Sequence, residues 1–185
     1  MEPLLTAFVA ALLGGWADKS QRVAALLSAR GRPGLVVAAL LLAAAINSGV
    51  SAFAGSLLRR EVGPHAATLL LAVALAYAGV AALIGEGSKE PTRRGGPFLS
   101  ALAALLAAGW GDKTQYLIAA LALYWNSFLP VAAAAWLAGV AVCLPAALGG
   151  ETFVRTAPLK ALRILFGLLF LVAGGAVAVS GLGLV

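Results

Sequence analysis

The sequence predicts an all-α integral membrane protein whose six transmembrane helices form two inverted-topology three-helix repeats. Three observations carry this prediction. The composition is 62% hydrophobic and 11% charged with mean hydropathy +1.00, against about 45–50% and about 25% in soluble domains. A chain so poor in polar groups cannot cover itself in water. Its apolar blocks reach the ~20 residues that a membrane-crossing helix needs. They are continuous and Ala/Leu-rich rather than alternating, which favours helices over a barrel among the structures that satisfy their backbone in hydrocarbon. Finally, the chain repeats itself at a shift of 94 positions (112 − 18), as described below.

The spans are expected at Pro3–Leu27, Gly34–Leu58, Ala66–Gly85, Pro97–Tyr124, Phe128–Leu148 and Leu159–Leu182. Turn and charge signals separate them: ARGRPG, RREVGP, GEGSKEPTRRGG, YWNS and GGETFVRTAP. The N-terminus opens with a glutamate and lacks a basic segment, so a cleaved signal peptide is not expected. Short loops on one side hold Arg30, Arg32, Lys89, Arg93, Arg94, Arg155 and Lys160, and those on the other hold Arg59 and Arg60. By the positive-inside rule the first side faces the cytoplasm and both termini lie opposite. The basic surplus is thus read as orientation anchors; no Arg/Lys cluster with exposed aromatics suggests nucleic acid. The Ala-, Gly- and Leu-rich style with short loops fits a bacterial inner membrane. Cys143 is the single cysteine, which excludes an internal disulfide, and His65 stands alone in a loop. No cofactor is expected. An enzyme is not expected either, for want of a nucleophile–base pair or phosphate loop.

At the 94-residue shift, Pro3 meets Pro97, Gly15 meets Gly109, Trp16 meets Trp110, Asp18 meets Asp112, Lys19 meets Lys113 and Gln21 meets Gln115. Ser20 faces Thr114, and Pro64 faces Pro158 with no gap. The repeats are residues 1–88 and 97–185, joined by a cytoplasmic linker, 89–96. Three spans per copy is an odd number, so the second copy enters from the opposite face, as in secondary transporters whose site lies between the halves near the midplane.

Asp18 and Asp112 fall near the middle of their spans, where a charge costs ~2.5–3.5 kcal/mol on insertion scales. In a continuous helix Asp18 would neighbour Gln21, and Asp112 would neighbour Gln115. Each lysine is turned about 100° from its aspartate. Carboxylate and amide oxygens, with the hydroxyls of Ser20 and Thr114, form the kind of ligand set hard cations take. The competing reading is structural: Asp18 and Asp112 pair with Lys113 and Lys19 as glue between the repeats. Arg22, at i,i+4 from Asp18, could clamp its carboxylate. Gly14, Gly15, Gly109 and Gly111 permit either close helix contact or a local break lining a cavity. Trp16 and Trp110 are placed either over the lysines, walling the cavity, or in helix packing.

The segment GWGDKTQ resembles the signature Glu-x-Gly-Asp-(Lys/Arg)-(Thr/Ser) of the Gdt-type transporters. The resemblance implies two inverted three-helix repeats, each with one signature in its first helix, and exchange of Mn²⁺ or Ca²⁺ for protons. The second motif matches at Gly111, Asp112, Lys113 and Thr114; the first matches at Asp18, Lys19 and Ser20, with Ala17 in the glycine position. Where the family has glutamate, this chain has Gly15 and Gly109. The family's four carboxylates are thereby reduced to two, Asp18 and Asp112, which the resemblance implies as the metal-binding pair, balanced by Lys19 and Lys113, with Arg22 adding positive charge. Glu86 and Glu151 lie at span ends and are no obvious replacement.

Three activities fit this pattern. The first is a cation/proton antiporter with Asp18 and Asp112 as ion or proton sites and Gln21, Gln115, Ser20 and Thr114 completing the oxygen shell. The second transports another solute through a glycine-widened cavity. The third is a non-transporting subunit paired with a glutamate-bearing homologue. The expected partners are a divalent cation, a proton and the lipid bilayer, with a second copy or a homologous subunit left open.

Overall fold

The computed structural model describes residues 1–29, 32–84 and 96–183. Glu86, Lys89, Arg93 and Arg94, most of the linker, and Arg30 lie outside the described residues, as do the side chains of Glu151 and Arg155. The described chain is helical, with no strand among the described residues. The helices are α1 (Glu2–Gly15), α2 (Lys19–Ser28), α3 (Pro33–Leu58), α4 (Pro64–Ile84), α5 (Pro97–Gly109), α6 (Lys113–Trp125), α7 (Phe128–Thr156) and α8 (Leu159–Gly181). Prolines in the first turns of α1, α3 and α5 start these helices where a missing N–H is harmless. Asn126 in the left-handed region (φ 48°) ends α6. Gly150 (φ 55°) interrupts α7 near its end.

Four helices are long and apolar enough to cross a membrane: α3, α4, α7 as far as Gly150, and α8. The expected spans Pro3–Leu27 and Pro97–Tyr124 are each two shorter helices. Both breaks fall at the shared motif, at Trp16–Asp18 and Trp110–Asp112. The element order of residues 1–84 thus recurs in 97–181: two short helices, then two long ones.

The packing crosses between the halves. α1 and α2 lie mainly against α7, and α5 and α6 against α3, whereas α2 barely touches α3 and α6 barely touches α7. One cluster joins Ala7, Leu71, Leu75, Leu117, Leu121 and Phe170; another joins Val23, Leu40, Ala43, Leu105, Cys143 and Ala147. Small residues let backbones approach closely: a Cβ on Gly79 of α4 would stand 2.8 Å from the Gly167 carbonyl of α8. α4 also packs on α6, through the edge-to-face pair Tyr77–Tyr116. α8 makes no comparable contact with α2. Between them runs a groove of about 710 Å³ lined by Arg22, Pro158, Lys160 and Ile164 among others.

Candidate functional site

Both breaks are built alike. Trp16 and Trp110 leave the helix in extended conformation, at φ −67°, ψ 135° and φ −74°, ψ 125°. Ala17 and Gly111 then turn left-handed, at φ 58° and 70°. Asp18 and Asp112 return to extended backbone as the N-caps of α2 and α6. A broken helix exposes amides that hydrocarbon cannot satisfy, and here each trailing glutamine folds back on the break. Gln21 Oε1 accepts from the Ala17 N–H (3.0 Å) and Gln115 Oε1 from the Gly111 N–H (2.8 Å). The other ends of the two amides diverge. Gln21 donates to the Val142 carbonyl on α7 (2.9 Å), whereas Gln115 donates to Asn47 Oδ1 on α3 (3.3 Å). The Thr114 N–H donates to Asp112 Oδ2 (3.2 Å), the capping bond a helix N-terminus favours.

The aspartates converge. Lys113 Nζ donates to Asp18 Oδ1 at 2.6 Å, across the repeats, and stands 3.8 Å from Oδ1 of its own neighbour Asp112. Asp18, Asp112 and Lys113 are all buried. A cavity of about 90 Å³ opens beside them, lined by Gly15, Asp18, Ser20, Asn47, Ser48, Gly109, Asp112, Thr114 and Gln115 together with apolar residues of α3, α5 and α7. That is room for a few waters or one partly hydrated ion. Asp112 Oδ1 and Thr114 Oγ1 are buried there without a hydrogen-bond partner. A buried carboxylate oxygen left so calls for a proton, a water or a cation. Among the described residues no three His, Cys, Asp or Glu side chains group as a metal cluster.

A family model described as "divalent cation/proton antiporter GDT1" matches residues 3–90 and 97–183, stretches whose starts lie the same 94 residues apart as the two motifs. The chain belongs to the GDT1 family. No curated protein and no solved structure matches it. As a GDT1 member it falls among membrane antiporters rather than enzymes.

The fold of this GDT1 chain brings together most of the residues singled out in sequence. Asp18, Asp112, Ser20, Thr114, Gln115, Gly15 and Gly109 line the cavity. Gln21 does not; fully buried, it braces the first break instead. Three expectations are corrected. Asp18 and Gln21 are not stacked on one continuous helix, because the helix stops at Gly15 and restarts at Lys19. Lys113 does not turn away from the carboxylates but reaches the other repeat's aspartate, which is the Asp18–Lys113 contact that the structural reading expected. Arg22 lines the groove beside α8, while the ion pair given to Asp18 among the described residues is with Lys113. Trp16, Trp110, Gly111 and Lys19 are not among the cavity's lining residues; Trp110 is 65% exposed on the outer surface, as a lipid-facing residue would be. Sequence reasoning missed Asn47 and Ser48 of α3. The available signal was a lone Asn-Ser pair inside the apolar block Gly34–Leu58.

Proposed function

We propose that this protein is a cation/proton antiporter that carries Mn²⁺ or Ca²⁺ through the cavity between the two breaks, with Asp18 and Asp112 as its ionisable ligands. The observation that carries the reading is the buried Asp112 Oδ1 at that cavity, which accepts no hydrogen bond and has only the Lys113 ammonium at 3.8 Å, beside the Asp18–Lys113 pair. Each broken pair, α1–α2 and α5–α6, crosses as one span, since neither short helix alone covers ~30 Å of hydrocarbon. Six spans result, inverted between the halves, with the cytoplasmic side assigned from the Lys/Arg bias and a bacterial inner membrane from the Ala-, Gly- and Leu-rich composition with short loops.

The chemistry follows from competition for carboxylate oxygens. With no ion bound, Lys113, 2.6 Å from Asp18 Oδ1 and 3.8 Å from Asp112 Oδ1, and one proton held by the two carboxylates as a pair leave the site neutral. An arriving cation takes Asp112 Oδ1 and Thr114 Oγ1, displaces the proton, and weakens the hold of Lys113 on Asp18 by like-charge repulsion. Lys113 thus acts as a tethered counter-cation. Each aspartate is the N-cap of the second helix of its broken pair, the placement found in transporters with discontinuous helices.

Reconstituted protein under an imposed pH gradient is expected to move Mn²⁺ or Ca²⁺, and Asp112→Asn is expected to abolish that flux. Gradient-dependent flux surviving in Asp112→Asn would remove the carboxylate from the mechanism. A second reading, transport of another solute or a role as a partner subunit, is favoured by Lys113 at the carboxylates; wild-type protein that folds but moves neither ion would select it.

A further inference from the structure

The cavity is chemically lopsided, although the chain that builds it is a repeat. On α3 the side chain of Asn47 enters it; at the equivalent position on α7 stands Ala141. The two motif glycines differ accordingly. A Cβ on Gly15 would meet Val142 first, at an ordinary 3.5 Å. A Cβ on Gly109 would fall on Asn47 Nδ2. Gly109 is therefore the floor on which the Asn47 amide rests, and the two residues are a matched pair.

That amide is poorly occupied by the protein itself. Its oxygen accepts one bond, from Gln115 Nε2 at 3.3 Å, past the usual N–H···O range. It shares the cavity with Asp112 Oδ1 and Thr114 Oγ1, both buried and without a hydrogen-bond partner. An asparagine at this depth is costly in an apolar helix, and a structural tie between α3 and α6 would favour a shorter bond than this one.

We infer that Asn47 is a specificity-determining residue of the transport site, lending a neutral amide oxygen to the bound hard cation beside Asp112 and Thr114. The inference rests on the antiport reading above. Oxygen ligands of either charge suit Mn²⁺ and Ca²⁺, and the number of charged ligands tunes how tightly such ions are held. A neutral ligand here keeps affinity modest and release fast, with Gly109 reserving the space.

The test is proton-coupled Mn²⁺ and Ca²⁺ flux in proteoliposomes containing the full chain, with KM and kcat resolved and folding followed by gel filtration. Asn47→Ala should raise KM about ten-fold and leave kcat within about two-fold, the signature of a lost binding contact. Asn47→Asp, which is isosteric, should lower KM about ten-fold and slow kcat as release becomes limiting. Gly109→Ala should reproduce Asn47→Ala by evicting the amide, and should add nothing further in the Asn47→Ala background. If Asn47→Ala fails to fold, Asn47→Asp carries the test. Wild-type KM in the folded Asn47 variants, with flux abolished in Asp112→Asn, would overturn the role of Asn47 and leave the antiport reading standing. Undiminished flux in Asp112→Asn, or no flux in the wild type, would overturn that reading and this inference with it.

Discussion

Ala17 holds a left-handed backbone, φ 58°, that its counterpart Gly111 adopts at φ 70° without a Cβ to obstruct it. For an L-residue the conformation costs roughly 1–2 kcal/mol, partly offset by the greater freedom of glycine in the unfolded chain. Ala17→Gly should therefore stabilise the protein by about 0.5–1 kcal/mol, and Gly111→Ala should destabilise it by about 1 kcal/mol. Thermal unfolding in detergent would show shifts of opposite sign, and equal signs would contradict the shared geometry. The buried Asp18–Lys113 pair makes a second case. Lys113→Met strands a carboxylate and should cost about 3 kcal/mol, whereas Lys113→Met with Asp18→Asn should recover much of that. Equal stability of the single and double variants would show that the pair is not coupled. Both aspartates and both lysines were legible in sequence because they are charged and recur. Asn47 was not, being uncharged and facing Ala141 across the repeat.

The helix breaks were the feature hardest to see in sequence. Trp-Ala and Trp-Gly carry no turn signal strong enough to interrupt an apolar block, the polar residues that follow read as a site within one helix, and the four nearby glycines allowed packing or breakage equally. What decided between them is the glutamine behind each aspartate, whose amide takes over the hydrogen bond that the missing turn gives up. The two glutamines are not equivalent in environment: Gln21 is fully buried and Gln115 is not. Gln21→Leu leaves the Ala17 N–H buried and unpaired and should cost about 2 kcal/mol; Gln115→Leu should cost less, as the Gly111 N–H is exposed. Denaturation midpoints of the two variants give the comparison, and an equal loss would remove burial as the cause. The four long helices needed no such help, because their uninterrupted length and Ala/Leu content announce them.

At the scale of the molecule, the repeat was visible in sequence, but how its copies fit together was not. Self-comparison reports likeness, whereas packing depends on which apolar faces meet, and these meet between the halves: α1 and α2 on α7, α5 and α6 on α3. Residues 1–96 and 97–185 produced separately should each be degraded or aggregate, and co-expression should restore a complex that survives affinity purification through one tagged half. A stable, monodisperse half on its own would refute the shared core. Belonging to the GDT1 family points to the divalent cation/proton antiport of the family's description; the interlocked halves explain why the two motifs reach a single cavity.

The ion pair between Asp18 and Lys113 spans 95 positions of chain, and the ribosome works in order. At roughly 5–20 residues per second, Asp18 emerges about five to twenty seconds before the lysine that will neutralise it. During that interval the nascent chain carries Asp18 without the lysine that pairs with it in the finished fold. The pair that joins the repeats closes only once the second repeat has followed. Assembly of this protein is thereby timed by its own translation.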